Sequence, residues 1–154
     1  MKAVKEIIEY IVPKSLELNR LYLPNEQVHI NYSAIFCQSN EEFETLNADA
    51  AQFGMMIEDT PTGPLYKFTK PLETLAGPLW LLKVRKHDAT RPQRGDADFT
   101  LKDYISFKSE HLSDSQHFSL IEREYFEMIE LKDPQFDVLS YFSNPPLTVQ
   151  YGIE

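Results

Sequence analysis

The sequence predicts an α+β fold in which two βαβββ modules follow one another behind a helical leader. Three observations carry that reading: apolar spacing that changes from helical to alternating near residue 28, one order of elements that recurs after residue 94, and 154 residues with 42% hydrophobic content. A chain of this length buries roughly two thirds of the surface its unfolded state exposes, enough for two small modules sharing one core. The expected division is a helical segment over 1–24, a first module over 25–90 and a second over 91–154.

The leader KAVKEIIEYIV, residues 2–12, sets Val4, Ile7, Ile8 and Ile11 at helical spacing. Pro13 is expected to interrupt it, because proline lacks the N–H donor and crowds the carbonyl four residues back. A second helical stretch then runs through Leu16, Leu18 and Leu21 as far as Pro24, and covers one side of a sheet. From Val28, VHINYSAIFC alternates and is rich in β-branched and aromatic residues, as a half-buried strand requires. Ser39 suits a helix N-cap, Glu41 and Glu42 suit the first turn, and Gly54 suits the stop. MMIEDT, GPLYKFTK and GPLWLLKVRKHD follow as three strands separated by turn residues.

The order then repeats. GDADFTL reads as a strand, and KDYISFKSEHL as a helix with Tyr104, Phe107 and Leu112 toward the core. FSLIER, FEMIELKD and FDVLSYFS read as strands, with Asp133 and Pro134 turning the chain before the last. NPPL ends the regular structure, and TVQYGIE reads as a tail.

Composition narrows the function. A formal charge of −9 repels nucleic-acid phosphates and anionic membrane surfaces, so neither is an expected partner. No apolar run approaches the ~20 residues of a spanning helix. Lys2, Lys5, Glu6 and Glu9 break up the apolar core a secretory signal would need, and the expected setting is the cytoplasm. The single cysteine, Cys37, excludes an internal disulfide and a cysteine-cluster metal site, and reads as a buried, unreactive thiol. Lys83, Arg85, Lys86, Arg91 and Arg94 crowd into twelve positions of an acidic chain. They form either a solvated connector or a site for an anionic ligand.

With the repeat in view, the chain resembles the vicinal oxygen chelate superfamily, the glyoxalase and bleomycin-resistance group. The likeness is clearest from Gly95 to Phe142, where GDADFTLKDYISFKSEHL and FEMIELKDPQFDVLSYFS track that group's strand, helix and Asp-Pro turn before the last strand. The resemblance implies a glyoxalase-like paired half-barrel whose modules enclose a cavity for a divalent metal and a small ligand. The group's metal ligands stand on the first and last strand of each module. Carried across, those positions fall on Tyr32, on Leu82 or Lys83, on Asp96 or Asp98, and on Ser140. Leucine has no lone pair, a lysine cation repels a metal, and neutral serine and tyrosine bind divalent ions weakly. One aspartate alone does not hold zinc. The expectation is therefore no metal and no cofactor. His29 and His87 are the spare imidazoles. Alternation turns His29 away from the side Tyr32 faces, His87 ends its strand among charges, and His111 and His117 read as surface residues.

The leading reading is thus a metal-free protein that holds a small organic molecule, in one version an anionic one, between its modules. Its candidate ligand-binding residues are Tyr32, Trp80, Arg85, Arg94, Asp96, Asp98 and Ser140, with no catalytic residue assigned and enzymatic activity left open. One alternative is a divalent-metal lyase, isomerase or dioxygenase with displaced ligands. Another is an interaction module or homodimer in which the leader helix covers a partner. Asp96 and Asp98 are expected to open the second module's first strand, both toward the cavity, with Arg94 or Arg85 paired to one of them, because unpaired buried carboxylates are costly. If that pairing is structural, Asp96→Asn lowers stability by roughly 1–3 kcal/mol. If it belongs to a site, the change spares stability and abolishes binding.

Overall fold

The leader is a single helix. In the computed structural model, which describes residues 2–153, α1 runs from Lys2 to Tyr22 with Pro13 inside it. This corrects the expected break. Proline in a helix interior costs about 3 kcal/mol. Val4, Ile8, Ile11, Val12 and Leu18 are all buried along one face of α1, and each contributes about 1.5–3 kcal/mol, so packing outweighs the defect. Glu9, whose carbonyl loses its donor, lies on the exposed face where water reaches it. Leu21, expected on the apolar face, is instead exposed.

The remaining elements are β1 (Val28–Phe36), α2 (Asn40–Phe53), β2 (Gly54–Thr60), β3 (Gly63–Thr74), β4 (Gly77–Arg85), β5 (Gly95–Leu101), α3 (Tyr104–His111), β6 (Phe118–Glu122), β7 (Glu127–Leu131), β8 (Val138–Asn144) and α4 (Leu147–Gln150). The caps explain where two helices begin. The Ser39 side chain accepts from the Glu42 N–H, and that of Asp103 accepts from the Ser106 N–H. The expected tail is partly ordered structure: the Leu147 N–H reaches Asn31 Oδ1, and Tyr151 hydrogen-bonds to Glu58.

All eight strands form one curled sheet in the order β2-β3-β4-β1-β5-β8-β7-β6. Each βαβββ unit closes its first strand against its last in parallel, β1 on β4 and β5 on β8. The two first strands then meet antiparallel at the centre, with Ser33 opposite Ala97 and Ala34 opposite Asp96. The order is therefore symmetrical about the β1–β5 seam. Gly95 is placed by that seam, since a Cβ there would lie 2.2 Å from the Ala34 carbonyl oxygen and 2.5 Å from Ile11 Cδ1.

Strand alternation divides the side chains between two faces. One face packs on the helices: Ile35, Val84, Ala97, Phe99 and Phe142 share a core with Ile8, Ile11, Leu46 and Phe107. The other, concave face carries a smaller cluster of Ala34, Phe36, Leu139 and Tyr141, flanked by Tyr32, Ile121 and Met128. Among the described residues no helix is long and apolar enough to cross a membrane.

Candidate functional site

The concave face encloses a cavity of about 390 Å³ reached by both modules. Module one supplies Tyr32 from β1 with Lys83 and Arg85 from β4; module two supplies Asp96 and Asp98 from β5 and Tyr141 from β8. Asn31 and Tyr32 are neighbours in sequence yet both serve this face. The β1–β5 register shifts between Ile30 and Tyr32, and such a bulge re-aims a side chain that strict alternation would turn away.

The two aspartates live in different surroundings. Asp98 is held by its neighbours: Ser143 donates to it through its backbone N–H at 3.1 Å and through its hydroxyl, and Asn31 Nδ2 donates at 3.1 Å. Burial still outweighs those donors and lifts its pKa to about 6. Asp96 is buried at 6% exposure, and its Oδ1 has no hydrogen-bond partner. Burial and the nearby Asp98 charge push it from 3.8 to about 8, against smaller opposing effects of Arg85, a backbone hydrogen bond from Ala34, and Lys83. At neutral pH Asp96 is thus mostly a neutral acid, able to donate a hydrogen bond. Burial lowers the pKa of Lys83, with the Arg85 charge adding to the effect. Burial, then the charges of Asp96 and Asp98, raises that of Tyr32.

Not every expected residue is here. Arg94 turns away and makes a two-pronged pair with Glu42 at 2.8 and 2.9 Å, also donating to the Phe36 carbonyl at 2.9 Å. That pair ties the linker before β5 to the start of α2. Arg85 lies over the Phe36 ring at 4.9 Å and forms no ion pair with either aspartate. The expected pairing of Arg94 or Arg85 with Asp96 or Asp98 is therefore absent, because α2 offers Arg94 a carboxylate outside the cavity. Ser140 faces α1, with its hydroxyl 3.4 Å from the Ser15 carbonyl, since it has the helix-side parity of Phe142. Trp80 lies outside the cavity lining on β4.

Sequence reading passed over Lys83, Arg123 and Glu130 as cavity residues. Lys83 belongs to the basic cluster read as a connector or an anion site but is not among the candidate ligand-binding residues, although its spacing from Arg85 puts both on one face. Glu130 is signalled by the alternation of EMIEL, in which Ile129 and Leu131 are buried; it accepts from the Tyr141 hydroxyl at 2.7 Å. Arg123 ends the run FSLIER, and its spacing of two from Ile121, which also lines the cavity, is the signal that could have found it.

The donor set does not fit a divalent metal. None of the four histidines lines the cavity, Asp98 is already engaged by Ser143 and Asn31, and Lys83 and Arg85 bring positive charge where a cation would sit. His29 is exposed, and His87 Nδ1 lies 3.2 Å from the Cys37 carbonyl. Among the described residues, Glu26, Glu110 and His111 form the one cluster with ligand atoms within 4.8 Å of one another, and none of them lines the cavity. Cys37 is buried, and burial pushes its thiol up to about 12, so it is no nucleophile at neutral pH.

No protein-family model matches the chain, and no curated protein matches it in sequence. Among solved structures, it is similar to a structural-genomics protein called EC4020, with a TM-score of 0.70 at 13% identity, over 99% of this chain and 90% of that one. Two βαβββ units that meet through their first strands, each closed by its own last strand in parallel, make the paired-module architecture. The fold is glyoxalase-like. A glyoxalase/bleomycin resistance protein/dioxygenase superfamily member from Vibrio splendidus 12B01 aligns with a TM-score of 0.45 at 11% identity, over 77% of this chain and 98% of that one. A hypothetical protein from Bacillus halodurans C-125 aligns at 0.41 and 12% identity, over 75% and 93%. At those scores neither bears on the chemistry of the cavity.

Proposed function

We propose that this protein binds a small organic anion, without metal, in the cavity between its two modules. The observation that carries this reading is the charge of the cavity wall. Lys83, Arg85, Arg91 and Arg123 converge there, and among the described residues none of them forms an ion pair, although the chain carries a net charge of −9. Among the same residues, exposed cations elsewhere, such as Lys67 and Lys86, are also without an ion pair; what sets these four apart is that they line one cavity together. The volume lies within the range of small-ligand sites. Asp96, neutral at pH 7, would donate to an oxygen of the bound molecule while the cations draw its charge. The same arrangement is a starting state for proton transfer, which leaves enzymatic activity within this reading. A cytoplasmic setting also belongs to this reading.

An NMR titration with small carboxylic acids, phosphorylated acids and their uncharged amides tests the reading. The acids should shift the resonances of Tyr32, Lys83 and Asp96, and the shifts should weaken with salt and in Arg85→Met. Amides that bind as well as the acids would overturn it.

A second reading, self-association, is favoured by one observation. α1 buries its apolar face on its own sheet, but the edge strand β2 leaves Met55 71% and Met56 52% exposed. Met56→Lys should leave the sedimentation coefficient unchanged if the chain is a monomer, and lower it if β2 pairs with a second copy.

A further inference from the structure

We infer that the molecule taken by the central cavity carries two anionic groups, one at each end, as a short dicarboxylate or a phosphorylated carboxylic acid does. This rests on the anion-binding reading above and narrows it. The cations reach the cavity from both sides of the sheet's central seam. Lys83 and Arg85 stand two residues apart on β4, on one face of the strand, and both act electrostatically on Asp96. Arg91 comes from the linker after β4 and acts on Tyr141 of β8, and Arg123 sits in the turn between β6 and β7. In the sheet order β4 and β6 lie on opposite sides of the β1–β5 seam. One cavity is lined from both only because the sheet curls, which sets Arg123 on the other side from Lys83 and Arg85, with Arg91 between, since it acts on Asp88 together with Arg85 and also on Tyr141.

The lining acids offset only part of this charge: Asp98 and Glu130 bring two formal negative charges against four cations, which leaves an excess of two. Asp98 is engaged by Ser143 and Asn31, and Glu130 by the Tyr141 hydroxyl. Asp96 is held largely in its neutral form, with Oδ1 unpartnered. A ligand with a single anionic group would answer one wall and leave the cations of the other without a counter-charge. A second anionic group answers both, and the neutral middle of the molecule then lies over Asp96 and between Tyr32 and Tyr141. The planar guanidinium fork accepts carboxylate and phosphate alike, so both belong to the class.

Titration calorimetry of the full chain at low salt, with succinate, glutarate and adipate, each against its own monoamide and diamide, tests this, with phosphoglycolate as a further arm. The best diacid should bind at least tenfold more tightly than its monoamide. Arg85→Met and Arg123→Met should each bring the diacid down to the monoamide's affinity, whereas Arg85→Lys, which keeps the charge, should retain most of the preference. Phosphoglycolate binding above the best diacid would support the inference and assign one phosphate; binding below it would support two carboxylates. A diacid no tighter than its monoamide, with both above the diamide, would overturn the two-anion inference and leave the anion-binding reading standing. If no acid binds more tightly than its diamide, both are overturned.

Discussion

Asp96→Asn should make this protein more stable at neutral pH, the opposite of what pairing with Arg94 or Arg85 would give. In the folded chain the Asp96 pKa lies near 8, against 3.8 when the side chain meets water. Each step of one in that difference is worth about 1.4 kcal/mol. Below pH 4 both states are protonated and Asp96 contributes no penalty. Between pH 4 and 8 the folded state holds a proton that the unfolded state has released, so stability falls as pH rises, by about 1.4 kcal/mol per unit. At pH 7 the accumulated penalty is about 4 kcal/mol, and above pH 8 it levels off. Asparagine keeps the shape and removes the titration. Its amide adds a donor without a partner, which returns about 1–2 kcal/mol of the gain.

The net expectation at pH 7 is a stabilisation of about 2–3 kcal/mol, equivalent to about 4–12 °C in Tm for a chain of this size. Urea denaturation of both proteins at pH 5, 7 and 9 measures it, with m unchanged as the check that the unfolded state is the same. The gap between the two should be near zero at pH 5, open by pH 7 and widest at pH 9. A variant less stable than the parent at pH 9 would refute the reasoning, because it would mean that Asp96 is ionised in the fold and stabilised there by a partner. On the proposed function the same substitution weakens anion binding, so stability and affinity should move in opposite directions.

Removing either end of the Arg94–Glu42 pair, in Arg94→Ala or Glu42→Gln, should destabilise by about 1–2 kcal/mol, and the double variant should lose much less than the two together; denaturant midpoints of the cycle check this. Gly95→Ala should destabilise by more than about 2 kcal/mol, because the new methyl meets the Ala34 carbonyl oxygen at 2.2 Å. Gly152→Ala, with nothing within 4 Å, should cost only the strain of its positive φ, about 1–2 kcal/mol; parallel thermal melts separate the two. Tyr22→Phe should be less stable than the parent at pH 7 and not at pH 2, since the Tyr22 hydroxyl holds the Asp133 pKa below its ordinary value, and that stability is present above the ordinary carboxylate range and lost as pH falls through the lowered one.

The paired-module order was legible in the sequence because it rests on periodicities that survive in one chain. β5, predicted as GDADFTL, is found at those residues, and its alternation sends Asp96 and Asp98 to one face and Ala97 and Phe99 to the other. Helix continuity through Pro13 was not legible, since it depends on what the face of α1 buries. The placement of Arg94 depends on where α2 carries Glu42, fifty-two residues away. Ser140 was assigned by the resemblance alone, and the fold gives it the parity of Phe142, which is buried on the helix side. The reach of Asn31 depends on a bulge, which leaves no periodic trace.

Why the fold tolerates Asp96 is the question on which the functional argument turns. A buried carboxyl with one oxygen unpartnered is a standing loss, and its remedy lies within two strands: Lys83 and Arg85 already bias its titration from β4. Had either been set close enough to form an ion pair, the acid would be ionised and the cation occupied, and the cavity would have neither to offer. Arg94 demonstrates the alternative a few residues away, where the chain pairs arginine and glutamate through two short hydrogen bonds. Pairing at one site and separation at the next cannot both follow from overall charge. The separation keeps the cations unneutralised and the acid protonated, the state in which both can act on a third group. That group must be anionic to meet the cations and must carry an acceptor to meet Asp96. If Lys83→Met and Arg85→Met each raise stability while weakening binding of the best diacid, as Asp96→Asn should, the cavity is a site maintained against the stability of the fold. Loss of stability in both variants would instead make these cations part of the core's own support.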